Sequence, residues 1–74
     1  MIRYYSVLIN KEAKFYVANC PELEVTSQGT TVEEAEENLR EAIELYIESF
    51  GIDEVGYKQP PLLTSIAIEV ANHG

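Results

Sequence analysis

Hydrophobic positions recur with two different periods along this chain, and the change of period divides it into strands and one helix. Residues 2–9 (IRYYSVLI) and 15–20 (FYVANC) are rich in β-branched and aromatic residues and apolar on both alternating sides, so we predict two strands. The polar stretch 10–14 (NKEAK) between them predicts a hairpin connection. Pro21 ends the second strand, and residues 24–28 (EVTSQ) predict a weaker third strand that Gly29 ends.

From Thr31 to Phe50 the apolar positions recur mainly at steps of three or four residues, which indicates an amphipathic helix. Thr31 and Glu34 have the spacing of a capping box, and Gly51 suits the position after a helix end. The apolar stripe is wide enough to cover one face of a sheet. It consists of Val32, Ala35, Leu39, Ala42, Ile43, Tyr46, Ile47 and Phe50.

A final strand is predicted after the helix. Pro60 and Pro61 hold the connection 52–62 extended, and residues 63–71 (LTSIAIEVA) place Ile66, Ile68 and Val70 on one side. The predicted fold class is therefore α+β in the order β-β-β-α-β, within a single domain of residues 1–74. We expect an antiparallel meander, one helix, and a last edge strand beside the first, parallel to it if the crossover is right-handed.

One helix covers only one face of such a sheet, so the other face keeps part of the aromatic side chains. Large apolar patches are rarely left in water, and a chain this short gains stability from self-association. We therefore predict a homodimer or higher homo-oligomer formed through the sheet or its edge. The predicted self-association residues are Tyr4, Tyr5, Phe15 and Tyr16. The alternative is that the connection 52–62 folds back over the open face.

The formal net charge of −8 changes the picture of what the chain binds. Its five cations are scattered, so we expect no direct binding to nucleic acid, and the electrostatic complement is a basic partner. Opposite the apolar stripe the helix carries a row of glutamates, with Leu45 as an outward apolar neighbour. We predict these as partner-binding residues: Glu33, Glu37, Glu41, Glu44, Leu45 and Glu48. A solvated helix face without a partner is the alternative.

The location of the protein is predicted from what the chain lacks. No apolar run approaches the ~20 residues that span a bilayer, and the first ten residues do not resemble a signal peptide. Cys20 is the only cysteine, which leaves no internal disulfide. We therefore expect a cytoplasmic protein that does not associate with a membrane.

Candidate catalytic chemistry is sparse, and we predict no enzyme, no catalytic residue, no cofactor and no metal site. Cys20 precedes Pro21 at the end of an apolar strand and is interpreted as a buried, inert thiol, and His73 lies in a polar end expected to fray. A metal-dependent, ribonuclease-H-like nuclease is the remote alternative. Such a site needs acids converging from several strands, whereas residues 1–10 contain none and Asp53 is the only aspartate.

One string of residues from Phe15 to Glu48 closely resembles the HicB-like antitoxin family. The matching positions are Phe15-Tyr16, Val17-Ala18, Cys20-Pro21-Glu22-Leu23, Ser27-Gln28-Gly29, Thr31, Glu33-Glu34-Ala35, Asn38 and Glu41-Ala42. The first strand and the stretch PLLTSIAIEV also fit short, stand-alone members, so the resemblance covers nearly the whole chain.

The resemblance implies a partly complete ribonuclease-H-like sheet and an antitoxin function. It implies a protein that forms dimers or larger oligomers and blocks a small, basic messenger RNA interferase toxin, HicA, by occlusion. A free-standing homo-oligomer that lacks a toxin partner is the alternative reading. Many members also carry a DNA-binding segment after this domain, which these 74 residues lack, so we expect no operator binding by them.

Two turns depart from the family pattern. The usual DLPGC turn is replaced by Glu22-Leu23-Glu24-Val25-Thr26, and the usual Asp-Gly hairpin signal is absent from residues 10–14. We therefore expect the turn between the second and third strands to differ from that of the family.

Overall fold

Three antiparallel strands followed by one helix make up the fold. The computed structural model describes residues 1–71 of the chain. The elements are β1 (Leu8–Glu12), β2 (Phe15–Cys20), β3 (Val25–Gly29) and α1 (Val32–Phe50). The sheet has the order β1-β2-β3 with both pairs antiparallel, which confirms the α+β class and the predicted meander.

The first strand begins and ends later than predicted. The prediction placed it at residues 2–9 with a loop at 10–14, whereas β1 pairs Leu8 to Glu12 with β2 around a two-residue turn at Ala13 and Lys14. In this register residue 7 lies opposite Cys20, the last residue of β2 before Pro21, so residues 2–6 extend past the end of β2. The Ser6 amide instead donates to Glu22 Oε2 at 2.7 Å.

Two residues adopt the left-handed conformation at the turns that lack the expected glycines. Ala13, in the hairpin turn, has φ 48°, and Glu24, just before β3, has φ 56°. A side chain in this region is sterically disfavoured, typically by about 1–2 kcal/mol. Both turns thus form with some backbone strain, and β3 starts one residue after the predicted boundary.

The helix is capped as the sequence predicts. Thr31 Oγ1 accepts a hydrogen bond from the Glu34 amide at 3.0 Å, while the Glu34 carboxylate reaches back to the Thr30 amide at 3.0 Å. The return bond therefore goes to the residue before the N-cap. At the other end, the Gly51 amide donates to the Ile47 carbonyl oxygen at 2.7 Å and φ of Gly51 is 83°, a value that favours glycine.

The core lies between α1 and one face of the sheet. Its buried members are Ala18, Cys20, Ala35, Leu39 and Ile43, with Tyr5, Ile9, Tyr16, Leu23, Val25 and Ile47 packed around them. The middle of the predicted apolar stripe is therefore confirmed as core. Its two ends, Val32 and Phe50, are exposed.

The predicted last strand is wrong for the single chain. Residues 63–71 are assigned to no strand, and every residue from 61 to 71 is exposed. We call residues 62–71 the arm. Its alternating pattern indicates an extended chain, but a strand also requires a hydrogen-bonded neighbour, and the arm has none among residues 1–71. Ile66, for example, is 79% exposed.

The connection after the helix returns to the start of the chain. Arg3 donates to the Val55 carbonyl oxygen at 2.7 Å, and Tyr57 Oη accepts from the Tyr4 amide at 3.1 Å. The rings of Tyr5 and Tyr57 meet edge to face at 5.8 Å, and Val55 is buried. These contacts fix the point from which the arm leaves the body of the protein.

Among residues 1–71, no helix is both long enough and apolar enough to cross a membrane.

Gly29 lies where the end of β3 closely approaches the first turn of α1, and we predict that Gly29→Ala destabilises the fold. An added Cβ would lie 2.5 Å from the Ala35 amide nitrogen, and backbone cannot move aside cheaply. The expected loss is roughly 1–3 kcal/mol in the free energy of unfolding, measured by urea denaturation. Gly56→Ala is the matched control, because a Cβ there meets nothing within 4 Å. Equal stabilities of the two variants would contradict the close approach.

Candidate functional site

The predicted partner-binding residues form one exposed ridge on the outer side of α1. We call Glu33, Glu37, Glu41, Glu44, Leu45 and Glu48 the acidic ridge, and all six are exposed. Leu45 is 62% exposed, as its position outside the apolar stripe predicts. The helix brings the five carboxylates onto one side because they are spaced by three or four residues.

Arg40 neutralises only part of this charge. Its Nε donates to Glu37 Oε2 at 3.3 Å, and it forms no salt bridge with Glu36 or Glu44. Both side chains are largely exposed, and such pairs contribute about 0–1 kcal/mol. The other carboxylates of the acidic ridge have no salt bridge among residues 1–71.

Beyond the first turn, where Glu33 suits the positive end of the helix dipole, the acidic ridge does little for the stability of the helix. Glu33 and Glu37, and likewise Glu44 and Glu48, are like-charge i,i+4 pairs, which cost a helix about 0.2–0.5 kcal/mol each. The last turn of α1 contains no basic residue, although the helix dipole favours cations there. These like-charge pairs therefore do not contribute to the stability of the helix.

A second surface feature, which the sequence analysis did not identify, is an open groove along one side of α1. It encloses a cavity of about 550 Å³ between the helix and residues 1–7. Apolar side chains line it, including Ile2, Val7, Leu39, Ile43, Ile47 and Ile52. We call it the helix groove. Its rim carries Glu36, Arg40 and Glu44, so Glu44 belongs to both the acidic ridge and this rim.

The four predicted self-association residues lie in different environments. Tyr5 and Tyr16 pack against the core on the helix side of the sheet. Phe15 is half-buried, whereas Tyr4 is 68% exposed. The structure therefore does not bring the four together as one patch. The connection 52–62, which was the alternative cover for the open sheet face, contacts Arg3, Tyr4 and Tyr5 through Val55 and Tyr57.

The residues with candidate catalytic chemistry are placed apart. Within residues 1–71 no group of three or more His, Cys, Asp or Glu side chains comes close enough to hold a metal ion. Cys20 is buried in the core, and this burial raises the pKa of its thiol. Hydrogen bonds from the backbone of Leu23 and Glu22 oppose the increase only in part. His73 lies outside the described residues.

A smaller cavity of about 370 Å³ lies near the turn after β2. Glu22, Tyr46, Tyr57 and Lys58 are among its lining residues. Glu22 Oε2 accepts from the Ser6 amide, and Glu22 Oε1 is buried without a hydrogen-bond partner among residues 1–71. The carboxylate thus holds residues 2–7 beside the sheet where the ladder has ended.

Comparison with known proteins gives one informative similarity. The chain is 57% identical over 47 residues to the UPF0150 protein ssr1765 of Synechocystis sp. (strain ATCC 27184 / PCC 6803 / Kazusa). The alignment covers 61% of this chain and 60% of that protein, so it spans less than two thirds of the relative. The name of the relative states no activity. No family model matches the chain, and no solved structure matches it.

The burial of Cys20 predicts a thiol that is inert in the folded protein. Ellman's reagent should label it only as fast as the chain unfolds, and denaturant should accelerate the labelling. Immediate labelling of the native protein would contradict the buried position.

Cys20 also predicts a loss of stability at alkaline pH. The pKa of the thiol is raised in the folded state, so the buried, protonated thiol is favoured over the thiolate. Its contribution to the free energy of unfolding is fully present below the unfolded-state pKa of about 8.5 and is lost as the pH rises above that value. The free energy of unfolding, measured by chemical denaturation from pH 7 to 10, should fall more steeply with pH for the unmodified chain than for Cys20→Ala. Identical slopes would show that the thiol does not contribute.

Proposed function

We propose that this protein is a non-enzymatic, antitoxin-like binding module that neutralises a small, basic messenger RNA interferase of the HicA type by occluding its active site. The single observation that carries the proposal is the exposed acidic ridge on α1. It presents a row of carboxylates of which only Glu37 pairs with a cation within residues 1–71, on a chain with a net charge of −8. We place this activity in the cytoplasm.

The chemistry of the ridge suits a toxin that binds RNA. A protein that holds phosphates needs clustered lysine and arginine side chains, and the same cluster attracts a row of carboxylates. The ridge would steer the encounter over a distance of about 8–10 Å at physiological salt, which is the screening length there. Leu45 lies among the carboxylates and supplies an apolar contact once the two proteins have met.

The identity of the toxin class rests on the resemblance to HicB-like antitoxins. The string from Phe15 to Glu48 that carries it comprises β2, β3 and most of α1, which are the elements that support the ridge. The similarity to the UPF0150 protein agrees with membership of a family of small proteins and adds no partner.

A second candidate function is a free-standing homo-oligomer without a toxin. The exposed arm favours it, because a long apolar segment without a neighbour points to contact with another protein chain. Light scattering of the purified protein, with and without a candidate toxin, distinguishes the two functions.

Charge reversal on the ridge tests the proposed function. Glu41 and Glu48 make no side-chain hydrogen bond within residues 1–71, so Glu41→Lys/Glu48→Lys changes charge without breaking a contact. We expect the affinity for an inactivated HicA-type toxin, from the reading frame next to this gene, to fall at least about tenfold at low salt. Calorimetry at low and high salt measures this, and the difference should shrink as salt increases.

Glu12→Lys/Glu54→Lys is the matched control, because it makes the same change of net charge on exposed residues away from the ridge. It should weaken binding much less. The ridge variant should also be at least as stable as the unmodified chain, because it places a cation in the last part of the helix. Equal affinities of the two variants would show that the ridge is not part of the interface. If no basic protein encoded beside this gene binds the unmodified chain, the proposed function is wrong.

A further inference from the structure

We propose that two copies of this chain exchange their arms, each arm lying in the helix groove of the other copy as the fourth strand of its sheet. The inference goes beyond the proposed function and does not depend on a toxin. It rests on two unfinished surfaces of one molecule, an apolar extended segment without a neighbour and an apolar groove without an occupant.

The arm has the pattern of a strand that is half-buried. Ile66, Ile68 and Val70 share one side, and all three are between 69% and 79% exposed. The intervening side chains of the other side, at residues 65, 67 and 69, are small or polar. Side chains that alternate in this way fit a pleated edge with one face against apolar surface.

The groove has a free strand edge beside it. β1 is at the edge of the sheet, and residues 2–7, which precede it, line the groove without pairing to β2. The amides of Tyr4 and Ser6 donate to Tyr57 Oη and Glu22 Oε2, whereas the amides of Tyr5 and Val7 have no partner within residues 1–71. Alternating free amides are what an added strand would bond to.

The arm and the helix groove agree in length. Nine residues of extended chain, 62–70, span about 30 Å at the rise of a strand. The 19-residue helix that forms one wall of the groove is about 28 Å long at its own rise per residue. An arm in the groove would therefore run along most of α1 and place its isoleucines against Leu39, Ile43 and Ile47.

The course of the chain favours a second copy as the owner of the arm. The contacts of Arg3 with Val55 and of Tyr4 with Tyr57 hold the connection that precedes the arm. Pro60-Pro61 then keep the chain extended where the arm begins. The radius of gyration is 15.9 Å, against about 11 Å for a compact chain of this length. The long dimension of 54 Å, together with the exposure of every residue from 61 to 71, indicates that the arm extends past the body and does not fold back onto it.

Charge does not oppose a second copy at this groove. Two acidic chains repel each other through their ridges, but the arm carries one acidic residue, Glu69, and no cation. The groove is apolar inside, so the exchange brings nearly neutral surface to apolar surface. Two equivalent arm contacts related by a twofold axis would close the assembly as a dimer.

Complementation between two defective variants tests the exchange. The arm variant is Ile66→Asp/Ile68→Asp and the groove variant is Val7→Asp, a partly exposed lining residue. We expect the unmodified chain to be a dimer by light scattering, and each variant alone to dissociate at least about a hundredfold more readily. Mixed together they should form a heterodimer, since one intact arm then meets one intact groove.

The control is Ser65→Asp/Ala67→Asp, which adds the same charge to the other side of the arm and should dimerise nearly as well as the unmodified chain. Circular dichroism of each variant checks that the helix remains. A monomeric unmodified chain would overturn the proposal, since its arm would then occupy its own groove or none. Variants that dimerise alone, or that fail to combine when mixed although both are folded, would also overturn it.

Discussion

The close approach of the first turn of α1 to the end of β3 is the constraint on which the rest of the structure depends. Gly29 allows it, since any side chain there would meet the backbone of the helix. The Asn38 side chain donates to the Gln28 carbonyl oxygen at 2.8 Å and fixes the helix one turn further along. With small residues such as Ala18 and Ala35 between the layers, one helix can cover the sheet with a modest core.

That arrangement gives α1 three different sides. One side is buried against the sheet, a neighbouring side walls the helix groove, and the outer side is the acidic ridge. Self-association through the groove and binding of a basic protein to the ridge can therefore occur on the same helix, with Glu44 at the boundary of the two. A dimer formed by arm exchange would present two ridges, and it would complete the four-stranded sheet that the single chain leaves unfinished.

The sequence predicted those features that depend on local patterns. The capping of α1 by Thr31, the buried Cys20 and the outward position of Leu45 all follow from residue type and spacing, and the structure agrees. β2 was also correct, because Pro21 sets its end. The position of β1 was not, since pairing register depends on the length of the partner strand and on a turn at Ala13 that carries no glycine signal.

The last strand shows the limit of pattern reading most clearly. Alternation at Ile66, Ile68 and Val70 predicts an extended conformation, but it contains no information on which chain supplies the neighbouring strand. The helix groove was missed because it is formed by residues 1–7 and α1, which are far apart in sequence, and no local pattern shows that they meet. The ridge could be predicted because one helix holds all of it, whereas the sequence contains no direct information on what binds to it.

The central claim is that the protein acts by presenting the outer side of α1 to a basic protein. A titration of ¹⁵N-labelled chain with an unlabelled, inactivated HicA-type toxin, followed by NMR, tests it residue by residue. The account predicts that the largest shift changes fall on the acidic ridge between Glu33 and Glu48 and diminish as salt is added. Changes confined to the open sheet face or the arm, or no changes at all, would contradict it.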